Sequence, residues 1–100
     1  MADKYYFKVH KHPSEMVIAI CDEELLGQTF QGEKMKLTVS EGFYGGVLAD
    51  EDFVLTNIRS FTILNVVGDR IVDLCIRQGI VSVDSVMDVG GIKHAQAVRM

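Results

Sequence analysis

A cysteine and a histidine are the residues of this sequence that come nearest to a catalytic pair. Thiolate catalysis needs an imidazole within hydrogen-bond reach of the sulfur, and Cys21 and His94 are the available nucleophile and base. Acidic residues at positions 22–24 directly follow the cysteine, and their negative charge disfavours the thiolate. We therefore interpret Cys21 as a small buried hydrophobic residue, with a hydrolase or transferase that uses Cys21 and His94 as the alternative.

Two further histidines, His10 and His12, lie two residues apart in a predicted strand and would project from the same face. A zinc or nickel site needs three or four ligands, and the sequence offers no evident third ligand near them. We therefore predict neither a metal site nor a cofactor.

The segment 42–46 contains three glycines around Phe43 and Tyr44. No Lys-Ser or Lys-Thr follows its glycines, as would be expected in a phosphate-binding loop, and the spacing is not that of a dinucleotide fingerprint. We interpret the glycines as allowing Tyr44 or Phe43 to approach the sheet closely, with a binding loop as the alternative.

A set of polar residues says more about a functional site than the cysteine, the paired histidines or the glycine loop. His94 and Gln96 lie on the apolar face of a predicted hairpin, so they must be hydrogen-bonded if buried or free for a partner if exposed. Tyr44 and Asn65, each beside a glycine turn, are natural partners for them. The cluster could be a polar core network or a small recognition site, to which Lys93 would add a charge.

The composition indicates an ordinary globular protein. The 100 residues, 48% hydrophobic and 24% charged, suit one domain over positions 1–100. A formal net charge of −4 and a pI near 5.2 disfavour DNA binding, because the chain lacks the basic excess that drives non-specific affinity. A protein or RNA partner stays possible.

Cysteine use and hydropathy indicate the compartment. Cys21 and Cys75 are far apart and form no Cys-x-x-Cys pair, so we expect free thiols in a reducing environment. The first residues contain no apolar targeting segment, and the longest apolar runs are much shorter than a membrane span. We expect a cytoplasmic protein without membrane contact.

Period-two alternation predicts the strands. Alternating residues from Tyr5 to His10, the turn 13–15 and an apolar run at 16–20 predict a hairpin, with its second strand inside the sheet and its first at an edge. Alternation at 34–40 predicts another strand. The β-forming residues at 61–64 predict a short strand, with a third helical piece as the alternative, because the run is too short for periodicity to decide. The Gly-Gly turn at 90–91 predicts a final hairpin that pairs Val89 with Ile92 and Met87 with His94.

Capping residues predict three helical segments. Asp22 would cap a single turn that ends at Gly27, and Asp50 a short helix at 51–59. Asn65 would cap the main helix, which ends at Gly79 and has an Asp73–Arg77 pair on its outer side. The fold class is therefore α+β: a mainly antiparallel mixed sheet of about five to six strands, packed on one main helix and one or two short helices.

Four segments, at 21–27, 40–46, 65–69 and 90–96, resemble the signature blocks of the archaeal family catalogued as domain of unknown function 424. The resemblance covers nearly the whole chain in the same order. Lys93 stands where relatives often have a proline, and Asp69 where they often have a glutamate. The resemblance implies an archaeal cytosolic origin, a stand-alone domain, and genes near translation components; it implies no activity.

The functional hypothesis from the sequence is a non-catalytic binding module that contacts protein or RNA, with a link to translation suggested by the resemblance. Its recognition surface would include Tyr44, Lys93, His94 and Gln96. The alternatives are the small Cys/His enzyme and a structural homo-oligomer that pairs the terminal strand 92–98 at an open sheet edge.

Overall fold

The computed structural model describes residues 3–99 and shows the predicted α+β fold. A six-stranded mixed sheet consists of β1 (Lys4–His12), β2 (Glu15–Asp22), β5 (Val47–Asp50), β6 (Ile63–Val67), β7 (Met87–Val89) and β8 (Ile92–Val98). Its strand order is β5-β1-β2-β6-β8-β7, and only the β2–β6 pair is parallel. A separate two-stranded sheet contains β3 (Thr29–Gln31) and β4 (Lys36–Thr38).

Three α-helices complete the fold: α1 (Glu41–Tyr44), α2 (Glu51–Asn57) and α3 (Asp69–Arg77). Short 3-10 turns occupy Glu23–Leu25, Ile58–Ser60 and Val83–Ser85. Within residues 3–99, no helix combines the length and the apolar character needed to cross a membrane.

The main sheet separates two hydrophobic cores. On one side, here called the helix face, α2 and α3 bury a core that includes Ile20, Val66 and Leu74. On the other, here called the hairpin face, the β3–β4 hairpin and α1 cover a smaller core that includes Cys21, Val67 and Val39. Successive residues of a strand face opposite cores, so each strand contributes to both.

The first hairpin forms as predicted, with every residue from Tyr5 to His12 paired with β2. β2 is internal because it is apolar on both faces: Ile18, Ala19, Ile20 and Cys21 are all fully buried. The predicted edge position of β1 is only half correct. β5 pairs with residues 4–7, and in the described chain no strand covers residues 8–12 on that side.

The main helix begins later than predicted, because Asn65 lies within β6 and α3 starts at Asp69. The cap of α3 comes from Asp22 at the end of β2. Its Oδ2 accepts the backbone N–H of Arg70 at 3.1 Å, and its Oδ1 accepts that of Ile71 at 3.0 Å. Asp22 precedes the 23–25 turn but makes no side-chain bond to it, so its predicted local role was wrong.

Gly68, the residue before α3, allows this distant cap to form. Its φ is +125°, a conformation that L-residues with a side chain rarely adopt. A Cβ atom at this position would also overlap the Asp22 carboxyl group. Both the backbone conformation and the close approach of the carboxylate therefore require glycine here.

Other local predictions are confirmed. Asp50 caps α2 by accepting the N–H of Phe53 at 2.9 Å, and Arg77 pairs with Asp73 at 2.9 Å. The Gly90–Gly91 turn has positive φ at both residues, and the final hairpin has the predicted register. The strand predicted at 34–40 contains only the three residues of β4, which pair with β3 and not with the main sheet.

We predict that Gly68→Ala will destabilise the fold by more than about 3 kcal/mol, because it combines backbone strain with a clash against a buried carboxylate. Gly79→Ala is the matched control: its φ is +71°, but no atom lies within 4 Å of its Cβ position. This control should lose only about 1–2 kcal/mol. Urea unfolding of both variants measures the difference, and equal losses would contradict the proposed Gly68–Asp22 contact.

Candidate functional site

Cys21 and His94 lie on the same face of the sheet but are not adjacent. Val67 pairs with Cys21 on one side and with His94 on the other, so a whole strand lies between them. Two strand spacings amount to about 10 Å between the backbones, which is too far for a direct hydrogen bond between thiol and imidazole.

The environment of Cys21 opposes thiolate formation. The side chain is fully buried in the hairpin-face core together with Tyr44. Burial, reinforced by the nearby Asp22 charge, raises the pKa of the thiol to about 12. Burial likewise raises the pKa of the Tyr44 hydroxyl. Cys21 is therefore a protonated core residue at neutral pH, as its acidic neighbours suggested.

His94 has its hydrogen-bond partner within the sheet. The side chain is 4% exposed, and its Nδ1–H donates to the backbone carbonyl oxygen of Val66 at 3.0 Å. A buried imidazole with a satisfied donor needs no further ligand to explain it. For this residue the structure favours the polar-core alternative over a recognition role.

The other members of the predicted polar cluster differ in burial and, for Lys93, in the face of the sheet on which they lie. Gln96 Nε2–H donates to Asn65 Oδ1 at 2.7 Å, and these two form a cross-strand pair on the hairpin face. Tyr44 is buried beside Cys21. Lys93 is exposed on the opposite face of β8, and its backbone N–H donates to Asp69 Oδ1 at 3.1 Å. The five residues therefore do not form one surface.

A small cavity of about 270 Å³ lies at the carboxyl ends of the parallel strands β2 and β6, where open sheets often bind ligands. In this protein the charged side chains of the cavity are already paired with one another or with the backbone. Arg70 binds both carboxylate oxygens of Glu24 and lies 3.4 Å from Asp3, while both oxygens of Asp22 are taken by α3. The hydrogen bond from Arg70 lowers the pKa of Glu24. This cluster is a structural clamp.

Three of the four signature blocks meet at this clamp. The first contributes Asp22 and Glu24, the third contributes Gly68 and Asp69, and the fourth contributes the Lys93 backbone, whose carbonyl accepts the N–H of Gly68 at 2.8 Å. These contacts give Asp22, Glu24, Gly68 and Asp69 an architectural role.

The second signature block attaches to β1. The Phe43 ring stacks on the His10 ring, with centroids 4.9 Å apart, and His10 Nε2–H donates to the Phe43 carbonyl oxygen at 2.9 Å. Lys8 Nζ donates to the Gly42 carbonyl oxygen at 2.9 Å. Tyr44 is buried as the close-approach interpretation expected.

Residues 3–99 contain no group of three His, Cys, Asp or Glu side chains that could hold a metal.

Gly46 determines how far the next strand covers β1. A Cβ atom on Gly46 would overlap the carbonyl oxygen of Phe7 and crowd the Cα of Lys8. The chain therefore crosses β1 at this point and then follows it as β5, which begins at Val47 opposite Phe7. Beyond Phe7, the outer edge of β1 is left without a strand neighbour in the described chain.

A groove of about 480 Å³, here called the β1 groove, lies between this uncovered half of β1 and α2. Its apolar side chains are unusually exposed: 44% for Val9, 53% for Val47 and 41% for Phe53. Phe53 packs edge-on against Phe7, with ring centroids 5.4 Å apart. The full lining is Phe7, Lys8, Val9, Met16, Gly46, Val47, Phe53, Asn57 and Ser60.

A larger cleft of about 810 Å³ lies between the β3–β4 turn and the Gly90–Gly91 turn. Except for half-buried Gly32 and buried Val89, every residue that lines it is exposed, and charged side chains such as Glu33, Lys34 and Asp88 surround it. It is a gap between two turns. Met35 and Met87 are exposed in this cleft, but they lie among these charged groups. The β1 groove has one charged residue in its lining, Lys8, and its exposed apolar groups include the Phe53 ring, so it is the stronger candidate site.

We predict that Cys21 will resist alkylation in the folded protein. A pKa of about 12 lowers the thiolate fraction at pH 8 by roughly a hundredfold or more relative to an ordinary thiol, and burial blocks access as well. Iodoacetamide labelling followed by mass spectrometry, with and without urea, measures this. If native Cys21 reacts as fast as a free-cysteine peptide, the assignment to the core is wrong.

The comparisons with known proteins agree with the fold. The model of the family described as "Protein of unknown function (DUF424)" matches residues 10–100. The crystal structure of an uncharacterised conserved protein from Methanopyrus kandleri is similar, with a TM-score of 0.80 and 25% identity over 94% of this chain and 90% of that one. No curated protein matches this chain. Because the family model covers most of the chain, this protein belongs to the DUF424 family.

Proposed function

We propose that this protein is a binding module without a catalytic centre of its own and that it binds a protein partner through the β1 groove. The observation that carries this proposal is the coincidence of exposed apolar side chains with an uncovered strand edge. Single exposed hydrophobic residues are common, but several that line one groove are typical of an interaction site.

The exposed residues are contiguous. Val9 and Val47 come from neighbouring strands, and Phe53 from the helix that packs over them. Met16 lies half-buried in the same lining and is flexible enough to adjust to different side chains. A partner that covered this groove would remove these apolar surfaces from water, at about 25 cal/mol per Å².

A protein partner suits the groove better than RNA. Binding of single-stranded RNA combines a positively charged groove with several exposed aromatic faces for base stacking. The lining contains two aromatic residues, of which Phe53 is exposed and Phe7 is buried. A partner in the translation apparatus would extend this proposal on the basis of the family resemblance alone.

The two rival functions have less support. The Cys/His enzyme would need an activated thiol, whereas Cys21 is buried and separated from His94 by Val67. The homo-oligomer would pair copies along β8, whose outer edge is covered by β7 only at residues 92–94. Along the uncovered residues 95–98, Val98 is exposed and apolar, but Gln96 is polar and Ala95 is buried, so this edge offers less apolar surface than the β1 groove. Gel filtration at several concentrations tests the oligomer.

The proposal is tested by photo-crosslinking from within the groove. Phe53 is replaced by benzoylphenylalanine, which keeps an aromatic ring in place, and the purified protein is irradiated in a lysate of the source organism. The matched control carries the same group at Gln78, which is exposed just after α3. We expect one defined protein adduct from position 53 that is absent from position 78. Adducts with RNA, or the same products from both positions, would contradict the proposal.

We predict that Val9→Asp will abolish that adduct while leaving the fold intact. Val9 is largely exposed, so the change should alter the free energy of unfolding by no more than about 1 kcal/mol, yet it places a charge in the apolar groove. The Phe53 crosslink yield and the urea midpoint are measured on the same preparation. Unchanged yield with an unchanged midpoint would exclude the groove as the binding site.

A further inference from the structure

We infer that the partner binds as an extended, acidic peptide segment that adds as a strand to the outer edge of β1. This inference rests on the proposed function and specifies the chemistry of the partner. It follows from the direction of the backbone groups along β1, from the alternation of side chains there, and from the local charge.

Hydrogen bonds of β2 establish which backbone groups of β1 are free. Met16 donates its N–H to Thr62 Oγ1 at 2.8 Å and accepts the N–H of Thr62 at 2.8 Å, so its backbone groups point away from β1. Its partner across the hairpin is Lys11, whose backbone groups must therefore point away from β2. Backbone direction alternates along a strand, so the N–H and carbonyl groups of Val9 also point away from β2.

Val9 and Lys11 thus present two N–H groups and two carbonyl groups at an edge that no strand of residues 3–99 covers. The uncovered segment 8–12 spans about 16 Å at a strand rise of about 3.3 Å per residue. An added strand would lie in line with β5, as in the peptide complexes in which a ligand extends a sheet. Four backbone hydrogen bonds are available to it without any rearrangement.

The side chains of β1 specify what the added strand should carry. Val9 points to the helix face and lines the β1 groove, whereas Lys8 and His10 point to the hairpin face. A strand beside them would place alternate side chains in the groove and the remaining ones next to these basic groups. Apolar residues fit the first set of positions, and carboxylates fit the second.

The charge of this segment is opposite to that of the protein. Residues 8–12 contain two lysines and two histidines within a chain of net charge −4. Charge complementarity therefore favours an acidic partner. It disfavours a second copy of the chain, because pairing two β1 edges would bring two basic segments 8–12 together at an edge where lysine commonly prevents self-association.

The test uses defined peptides and fluorescence anisotropy. The probe is a labelled peptide of alternating glutamate and valine, and its charge control is an alternating lysine and valine peptide of equal length. Two further probes are variants of the glutamate–valine peptide. One is N-methylated on the backbone at every valine and the other at every glutamate, so each lacks the N–H donors of one residue type. In the antiparallel orientation that β5 has beside β1, a valine opposite Val9 directs its N–H toward β1, whereas the neighbouring glutamates direct theirs outward.

We expect the glutamate–valine peptide to bind at least about tenfold more tightly than the lysine–valine peptide. Methylation at valine should abolish binding, and methylation at glutamate should leave it nearly unchanged. In the protein, Lys8→Glu, which reverses a charge on the hairpin face beside the glutamate positions, should weaken binding about tenfold. Lys36→Glu, the same charge change at an exposed position of β4, should have much less effect.

The outcomes separate this inference from the proposed function. Equal binding of the two methylated peptides would overturn strand addition, and equal binding of the lysine peptide would overturn the acidic preference. If no peptide binds while the Phe53 crosslink still forms and is lost in Val9→Asp, the groove function stands and the strand inference fails. If the crosslink is also absent, both fail.

Discussion

A buried carboxylate organises this fold. Asp22 is 3% exposed and accepts two backbone N–H groups at the start of α3, so removing it would leave the helix N-terminus without its cap. Because the contact joins the end of β2 to the first turn of the helix that follows β6, it also helps to align the parallel β2–β6 pair. Gly68 makes the approach possible, and Asp69 and Gly68 then hold β8 through the backbone of Lys93.

The two ends of β1 differ in what surrounds them. At the Asp22 end, Arg70 and its acidic partners fill the place where open sheets usually bind ligands. α3 packs over β2, β6 and β8, so α2 is the helix left to cover β1 and β5. At the far end of β1, Gly46 takes the chain across the strand, and neither β5 nor α2 reaches residues 8–12 completely. The β1 groove therefore lies away from the end of β1 at which this polar cluster sits.

The parts of the fold that the sequence predicted are those whose signals are local. The Gly90–Gly91 turn predicted the register of the final hairpin, and Asp50 was predicted as the cap of α2, the helix that begins at the next residue. The missed parts depend on distant partners: Asp22 lies 48 residues from Arg70, and nothing near it in the sequence indicates a remote helix. β3 and β5 are too short for alternation to be recognised. Val9 was identified as a strand residue, but its exposure follows only from where β5 begins.

The most direct test of this account is amide hydrogen exchange of β1, measured by NMR on the isolated protein. If the outer edge is open, the amides of Val9 and Lys11 exchange rapidly while those of Lys8 and His10, which point toward β2, are protected. This alternation within one strand is the predicted result. Equal protection of all four amides would show that the edge is already covered, in solution, by the chain itself or by a second copy, and would contradict the account.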